Sequence, residues 1–171
     1  NEPAEGNFKH KGRIASCPCV ESAGVVWAYM GPADKRPPNP AQEWVRTVPG
    51  GTFVSKTLEE CNYLQGIEGG VDSSHSSFLH RQFDANSQLG INGYRARSGA
   101  PRLEVLHTDY GFTYASIRNI KDEHKNFVRV YQFVMPFHQQ RVFAGYIEGR
   151  PVIQGHMWTP IDDHSHYVWN W

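Results

Sequence analysis

Residues Glu60–His80, ECNYLQGIEGGVDSSHSSFLH, carry the densest set of chemically capable side chains in the chain: Asp72, His75 and His80 fall within nine positions. From Leu58 the residues Leu58, Cys61, Leu64 and Ile67 recur at threes, the spacing of one helix face. We therefore expect a helix from Leu58, interrupted at Gly69-Gly70. A second short helix should follow, capped by Asp72 or Ser73 and carrying His75, Phe78 and Leu79. On an ideal helix Asp72 and His75 lie about 60° apart and share a face, whereas His75 and His80 lie about 140° apart. Both rings meet at one ion only where the helix bends or ends. The two glycines and the pairs Ser73-Ser74 and Ser76-Ser77 permit that. Two imidazoles and a carboxylate make up the facial triad of non-haem Fe(II) sites, which leaves positions open for dioxygen and substrate. Zinc takes the same donors. Spacing alone leaves iron, zinc and a pair of hydrogen-bonded helix-end histidines all open.

Outward from this stretch the chain changes character. Leu103–His107, Tyr110–Ile117, Phe127–Met135, Arg141–Ile147, Val152–Thr159 and His166–Trp171 read as strands. Turn signals at Asp109, Lys121-Asp122-Glu123, Pro136, Glu148-Gly149 and Pro160-Ile161-Asp162-Asp163 separate them, which implies an antiparallel sheet. Residues 81–102, rich in Gly, Asn, Ser and Arg, read as a long loop or lid. Upstream, Thr52–Thr57 and the run GVVWAYM (Gly24–Met30) read as strands, and Arg13–Glu21 as a short strand broken at Pro18. Pro32–Pro49, with Pro37-Pro38 and Pro40, reads as an extended linker. It sets a boundary between residues 1–49 and 50–171. No βαβ alternation, P-loop or dinucleotide-binding glycine pattern occurs.

Composition narrows the function classes. The chain has 171 residues, 17 basic and 17 acidic, with 20% charged and 39% hydrophobic side chains. Without clustered Lys and Arg we expect no nucleic-acid partner. Without a run of 18 apolar residues we expect no membrane span. Three cysteines form no disulfide framework and fit a reducing cytoplasm, our expected location. The start at Asn1 and the stop at Trp171, inside an aromatic strand-like run, lead us to expect a portion of a longer polypeptide. Asp162 and Asp163, close to His164 and His166, look metal-like but read as a turn. His107 and His156 read as core or pocket residues, as do Trp158, Phe133, Phe137 and Trp169. Cys17 and Cys19 read as small strand residues. Arg95, Arg97 and Arg102 are candidates to pair with a substrate carboxylate.

The run CNYLQGIEGGVDSSHSSFLH resembles the iron-binding segment of Rieske non-haem iron aromatic ring-hydroxylating oxygenases. It is most similar to the phthalate-dioxygenase-like branch and its Glu-Gly-Gly-x-Asp-Ser-Ser-His-x-x-Phe-Leu-His pattern. GVVWAYMGP resembles the end of that branch's Rieske domain. HTDYGFTYASIR, VYQFVMPF and HMWTPIDDHSHYVWNW resemble strands of its catalytic domain. The resemblance implies an α+β fold: residues 1–49 as the β-rich tail of a Rieske ferredoxin-like domain plus linker, and residues 50–171 as an incomplete helix-grip catalytic domain with an antiparallel sheet. It implies that His75 and His80 bind mononuclear Fe(II). It also implies that Asp72 bridges the iron site of one subunit to the Rieske [2Fe-2S] cluster of the next. The cluster's Cys-x-His and Cys-x-x-His ligands do not occur here; in the family they lie upstream of Asn1. In the family the third iron ligand is an aspartate on a helix that would lie beyond Trp171.

The same resemblance implies an enzyme of aromatic catabolism. It would use O2 to hydroxylate, cis-dihydroxylate or O-demethylate an aromatic compound, with electrons from NAD(P)H through a reductase or ferredoxin and the Rieske cluster. It implies a homotrimer or hexamer when complete. Two other functions stay open at this stage: a metal-free helix-grip protein binding a hydrophobic ligand, and a zinc hydrolase built on the same histidines.

Overall fold

The computed structural model describes residues 3, 5–41, 43–46, 50–81, 90–147 and 150–171. The chain divides into two compact units, Asn1–Thr52 and Phe53–Trp171. In the first, β1 (Cys19–Ser22) and β2 (Val25–Ala28) form an antiparallel hairpin. The turn residues Ala23 and Gly24 both have positive φ, as a tight two-residue hairpin turn requires. The strand expected over Arg13–Glu21 forms only from Cys19. Beyond β2 the backbone is not wholly extended: 3₁₀ turns occupy Ala33–Lys35 and Glu43–Arg46. The second turn carries Trp44, which is buried with its ring 6.2 Å from that of Trp27.

The second unit is built on a seven-stranded antiparallel sheet in the order β3-β9-β8-β7-β6-β5-β4. The strands are β3 (Ser55–Glu59), β4 (Arg102–Thr108), β5 (Gly111–Ile120), β6 (Lys125–Val134), β7 (His138–Ile147), β8 (Arg150–Pro160) and β9 (His166–Asn170). The last six form a meander, as the turn signals require, although Glu148-Gly149 lies outside the described residues. The first strand closes on the last, with Ser55 opposite Asn170 and Glu59 opposite His166. Alternation along β5 turns Tyr114, Ser116, Arg118 and Ile120 to the buried face. Tyr114 stacks on Tyr131 of β6 at 4.6 Å, and Phe112 on Phe133 at 4.9 Å.

Among the described residues two α-helices accompany the sheet, α1 (Tyr63–Val71) and α2 (Gly90–Arg97). The helix expected from Leu58 begins later, because Leu58 and Glu59 belong to β3. Asn62 starts it: its Oδ1 accepts from the Leu64 N–H at 3.0 Å, and its Nδ2 donates to the Asp163 carbonyl at 3.0 Å. The interruption expected at Gly69-Gly70 does not occur, since α1 runs through both. Gly66 and Gly70, four apart on one face, lie against the Trp158 indole of β8, and a Cβ at either would collide with it. The glycines thus allow close approach. Residues 81–102 are not all loop, since α2 occupies Gly90–Arg97; residues 82–89 of that stretch lie outside the described ones. The longest helix among the described residues is the nine-residue α1, so the long helix of a helix-grip fold is not among them. No helix of the described residues is long and apolar enough to cross a membrane.

Candidate metal centre

The segment after α1 is shaped by Asp72. Its Oδ1 accepts from the Ser74 N–H at 2.8 Å and its Oδ2 from the His75 N–H at 2.9 Å. The second oxygen also lies 3.2 Å from His75 Nδ1. Partial burial raises the Asp72 carboxyl, but these hydrogen bonds outweigh it and leave the group below its usual range. A short 3₁₀ turn, His75–Ser77, follows in place of the expected helix. The Phe78 and Leu79 N–H groups then both donate to the His75 carbonyl, at 2.9 and 2.8 Å. That tight wrap brings the His75 and His80 rings to 5.2 Å between centroids, inclined at 63°.

This spacing passes a simple test. Two imidazoles on one ion, with metal–nitrogen bonds of about 2.1 Å, have ring centroids about 4.5–5.2 Å apart. With Asp72 on Nδ1, the His75 Nε2 is the free nitrogen, the arrangement that a carboxylate partner imposes on metal-bound histidines. Burial, then the charges of His75, Arg95 and Arg141, hold His80 below the usual histidine range. A metal ligand must likewise be unprotonated. Among the described residues no third ligand joins this pair; the cluster of donors there is a different one, Glu59, Cys61 and His166.

Arg118 holds the turn in place, and sequence reasoning did not single it out. It is fully buried on β5. Its Nη2 donates to the Ser73 carbonyl and to the Ser76 and Ser77 hydroxyls, its Nη1 to Ser116 Oγ at 2.8 Å, and its Nε to the Ser98 carbonyl at 3.0 Å. One guanidinium therefore satisfies acceptors on both sides of His75. Gln139 performs a similar service for the end of α1, donating to the Gly70 carbonyl and to the Tyr114 hydroxyl, each at 2.8 Å. Its Oε1 accepts from Arg141 at 3.2 Å.

Of the three arginines picked from sequence, two are occupied at the surface. Arg97 pairs with Asp122 at 2.7 Å and with Glu123, and Arg102 pairs with Glu104. Arg95 is different. Burial lowers the pKa values of Arg95 and Arg141, and next in each case comes repulsion from Arg129. Arg141 donates to His156 Nε2 at 3.1 Å, while His156 Nδ1 faces Asn170 at 2.7 Å. Three guanidiniums thus crowd one region, and two of them act electrostatically on His80.

The remaining candidates resolve as follows. Asp162 Oδ1 accepts from the His164 N–H at 2.8 Å and the Ser165 hydroxyl at 2.9 Å, a capped turn. Asp163 is exposed. Phe133 and Trp158 are core residues, Phe137 and Trp169 are half-buried, and His107 is exposed rather than in core or pocket. Cys17 and Cys19 are exposed as well, with only Cys19 in a strand.

Comparison with known proteins adds three findings. Residues 28–166 match a family described as LigXa C-terminal domain like. The chain is 35% identical over 127 residues to the oxygenase subunit of phthalate 4,5-dioxygenase of Pseudomonas putida, covering 69% of this chain and 28% of that protein. It is 32% identical over 162 residues to the oxygenase subunit of 3-chlorobenzoate-3,4-dioxygenase of Comamonas testosteroni, covering 93% of this chain and 36% of that one. The chain thus spans roughly a third of the length of these relatives. Among solved structures, NdmA of Pseudomonas putida CBB5 with caffeine superimposes with a TM-score of 0.56 at 14% identity, covering 90% of this chain and 44% of that one. That likeness concerns the fold.

Proposed function

The chain belongs to the LigXa C-terminal-like family, whose relatives here are Rieske-type oxygenase subunits, and on that premise we propose that it is the catalytic portion of an aromatic-ring oxygenase α subunit. His75 and His80 bind mononuclear iron, and Asp72 is the contact through which electrons arrive from a neighbouring subunit's [2Fe-2S] cluster. Residues 50–171 belong to the helix-grip catalytic domain, and residues 1–49 to the tail of the Rieske domain and its linker. The electrons come from NAD(P)H through a reductase or ferredoxin, and the complete subunit works as a trimer or hexamer. The observation that carries this reading is the 5.2 Å ring separation of two histidines whose turn is clamped by Asp72 and Arg118.

When bound, ferrous iron supplies the activation of dioxygen. The chain's own residues supply placement. Asp72 holds the His75 ring by Nδ1, so that Nε2 would be the nitrogen left for the metal. Arg118 fixes the turn, so that ring position does not depend on an exposed loop. Arg95 and Arg141 act on His80 and favour an anion close to it, which directs the substrate reading to an aromatic carboxylate held by a charge-assisted pair. Two relatives are named for substrates of that kind, phthalate and chlorobenzoate.

Iron content decides between this reading and a metal-free binding protein or a zinc enzyme. The chain reconstituted anaerobically with ferrous iron should retain it through gel filtration, and His75→Ala and His80→Ala should each abolish retention. Full iron content in both variants overturns the assignment. On the loaded protein, benzoate should bind more tightly than benzyl alcohol by about tenfold or more, the worth of a charged hydrogen bond. Equal binding removes the carboxylate reading.

A further inference from the structure

At the other end of α1, three side chains from distant parts of the sequence converge. Glu59 ends β3, Cys61 leads into α1, and His166 opens β9 opposite Glu59. Their donor atoms all lie within 4.8 Å of one another. His166 is fully buried. Its Nδ1 sits 2.8 Å from the Cys61 carbonyl, which only accepts, so Nδ1 carries the hydrogen and donates it. Nε2 is buried without a hydrogen bond. It faces Glu59 Oε2 at 3.2 Å, outside hydrogen-bond geometry. A nitrogen lone pair and a carboxylate oxygen held this close repel unless a positive charge lies between them. Gly66 packs closely beside Nε2, where a Cβ would come within 2.8 Å of that atom.

We propose that Glu59, Cys61 and His166 form a second divalent-metal site of zinc type, separate from the His75–His80 pair. Thiolate, imidazole and carboxylate together select zinc over magnesium or calcium, because sulfur is a soft donor. The two anionic ligands balance the divalent charge. A tetrahedral zinc site has neighbouring N and O donors about 3.4 Å apart. The Nε2–Oε2 separation of 3.2 Å is already close to that. Rotation of the half-buried Cys61 side chain brings its sulfur in, and water takes the fourth position. The Glu59 side chain, 43% exposed, gives the ion a way in from solvent. The bound ion ties β3, the start of α1 and β9 together, so zinc should stabilise the folded chain by linkage.

The test uses the full chain carrying His75→Ala and His80→Ala, so that the first site takes no metal. After stripping with chelator and titration with zinc, one equivalent should bind and the melting temperature should rise. Zinc K-edge absorption should show one sulfur at about 2.3 Å alongside nitrogen and oxygen neighbours. Cys61→Ser should remove the sulfur signal, whereas Cys17→Ser with Cys19→Ser should leave it. Glu59→Gln, at an exposed side chain that folding tolerates, should weaken binding by about tenfold or more. The proposal is overturned if no sulfur neighbour appears, if it survives Cys61→Ser, or if Glu59→Gln binds zinc as tightly as its parent.

Discussion

Arg118 shows how much a single residue can determine. A buried guanidinium costs free energy unless its donors are met, and here they are met by the turn that carries His75. Arg118→Leu removes the charge but strands the Ser73 and Ser98 carbonyls. We expect a loss of about 2–4 kcal/mol in urea unfolding, together with reduced iron retention. Unchanged stability would mean that solvent satisfies these carbonyls. The strand expected from sequence stops at Ile117, so Arg118 falls outside it; only the observed run of β5 to Ile120 places a charge in the buried series Tyr114, Ser116, Arg118, Ile120. The Glu59–Cys61–His166 cluster was not legible, because 105 positions separate Cys61 from His166. Only the pairing of β3 with β9 brings them together.

At the scale of elements, α1 is the instructive case. Leu58, Cys61 and Leu64 suit a helix face, and Gly69-Gly70 suits its end, yet both boundaries lie elsewhere. Tertiary pairing recruits Leu58 into β3, and the indole of Trp158 needs a helix face without side chains. The two adjacent glycines therefore have opposite roles. Gly70 abuts Trp158, while nothing lies within 4 Å of a Cβ at Gly69. Gly69→Ala should raise stability by about 0.5–1 kcal/mol through the unfolded state. Gly70→Ala should lower it by about 1–3 kcal/mol through overpacking. Thermal melts of the two variants shifting the same way would sink this account. The strands β4–β9 were readable because turn residues punctuate them. Helix α2 was hidden, since GINGYRAR has two glycines and no apolar stripe.

At the scale of the whole molecule, buried histidines set the acid limit. Burial pushes His138 down to about 4. Burial, then the charge of Arg141, likewise lowers the half-buried His156. Each has a folded value below the unfolded value of about 6.5, so the unfolded chain binds more protons in between. Stability is then fully present above about pH 6.5 and is lost as pH falls toward 4. For His138 alone the loss is on the order of 3 kcal/mol, from about 1.4 kcal/mol per pH unit. Melting temperatures measured across this window should fall, and His138→Gln should flatten the slope. A slope unchanged in His138→Gln would assign the acid sensitivity to other groups.

The closure of the sheet by its first and last strands also sets a schedule for biosynthesis. Ser55–Glu59 emerges from the ribosome more than a hundred residues before its partner, His166–Asn170. Until then β3 has no neighbour in the sheet and Glu59 lacks His166, although β8 has already supplied the Trp158 on which α1 rests. Non-local pairing of this kind is slow and leaves strand edges open while it waits. The Glu59–Cys61–His166 cluster is therefore begun early and completed late, and a nascent chain halted before β9 should expose the β3 edge to chaperones and hold no ion there.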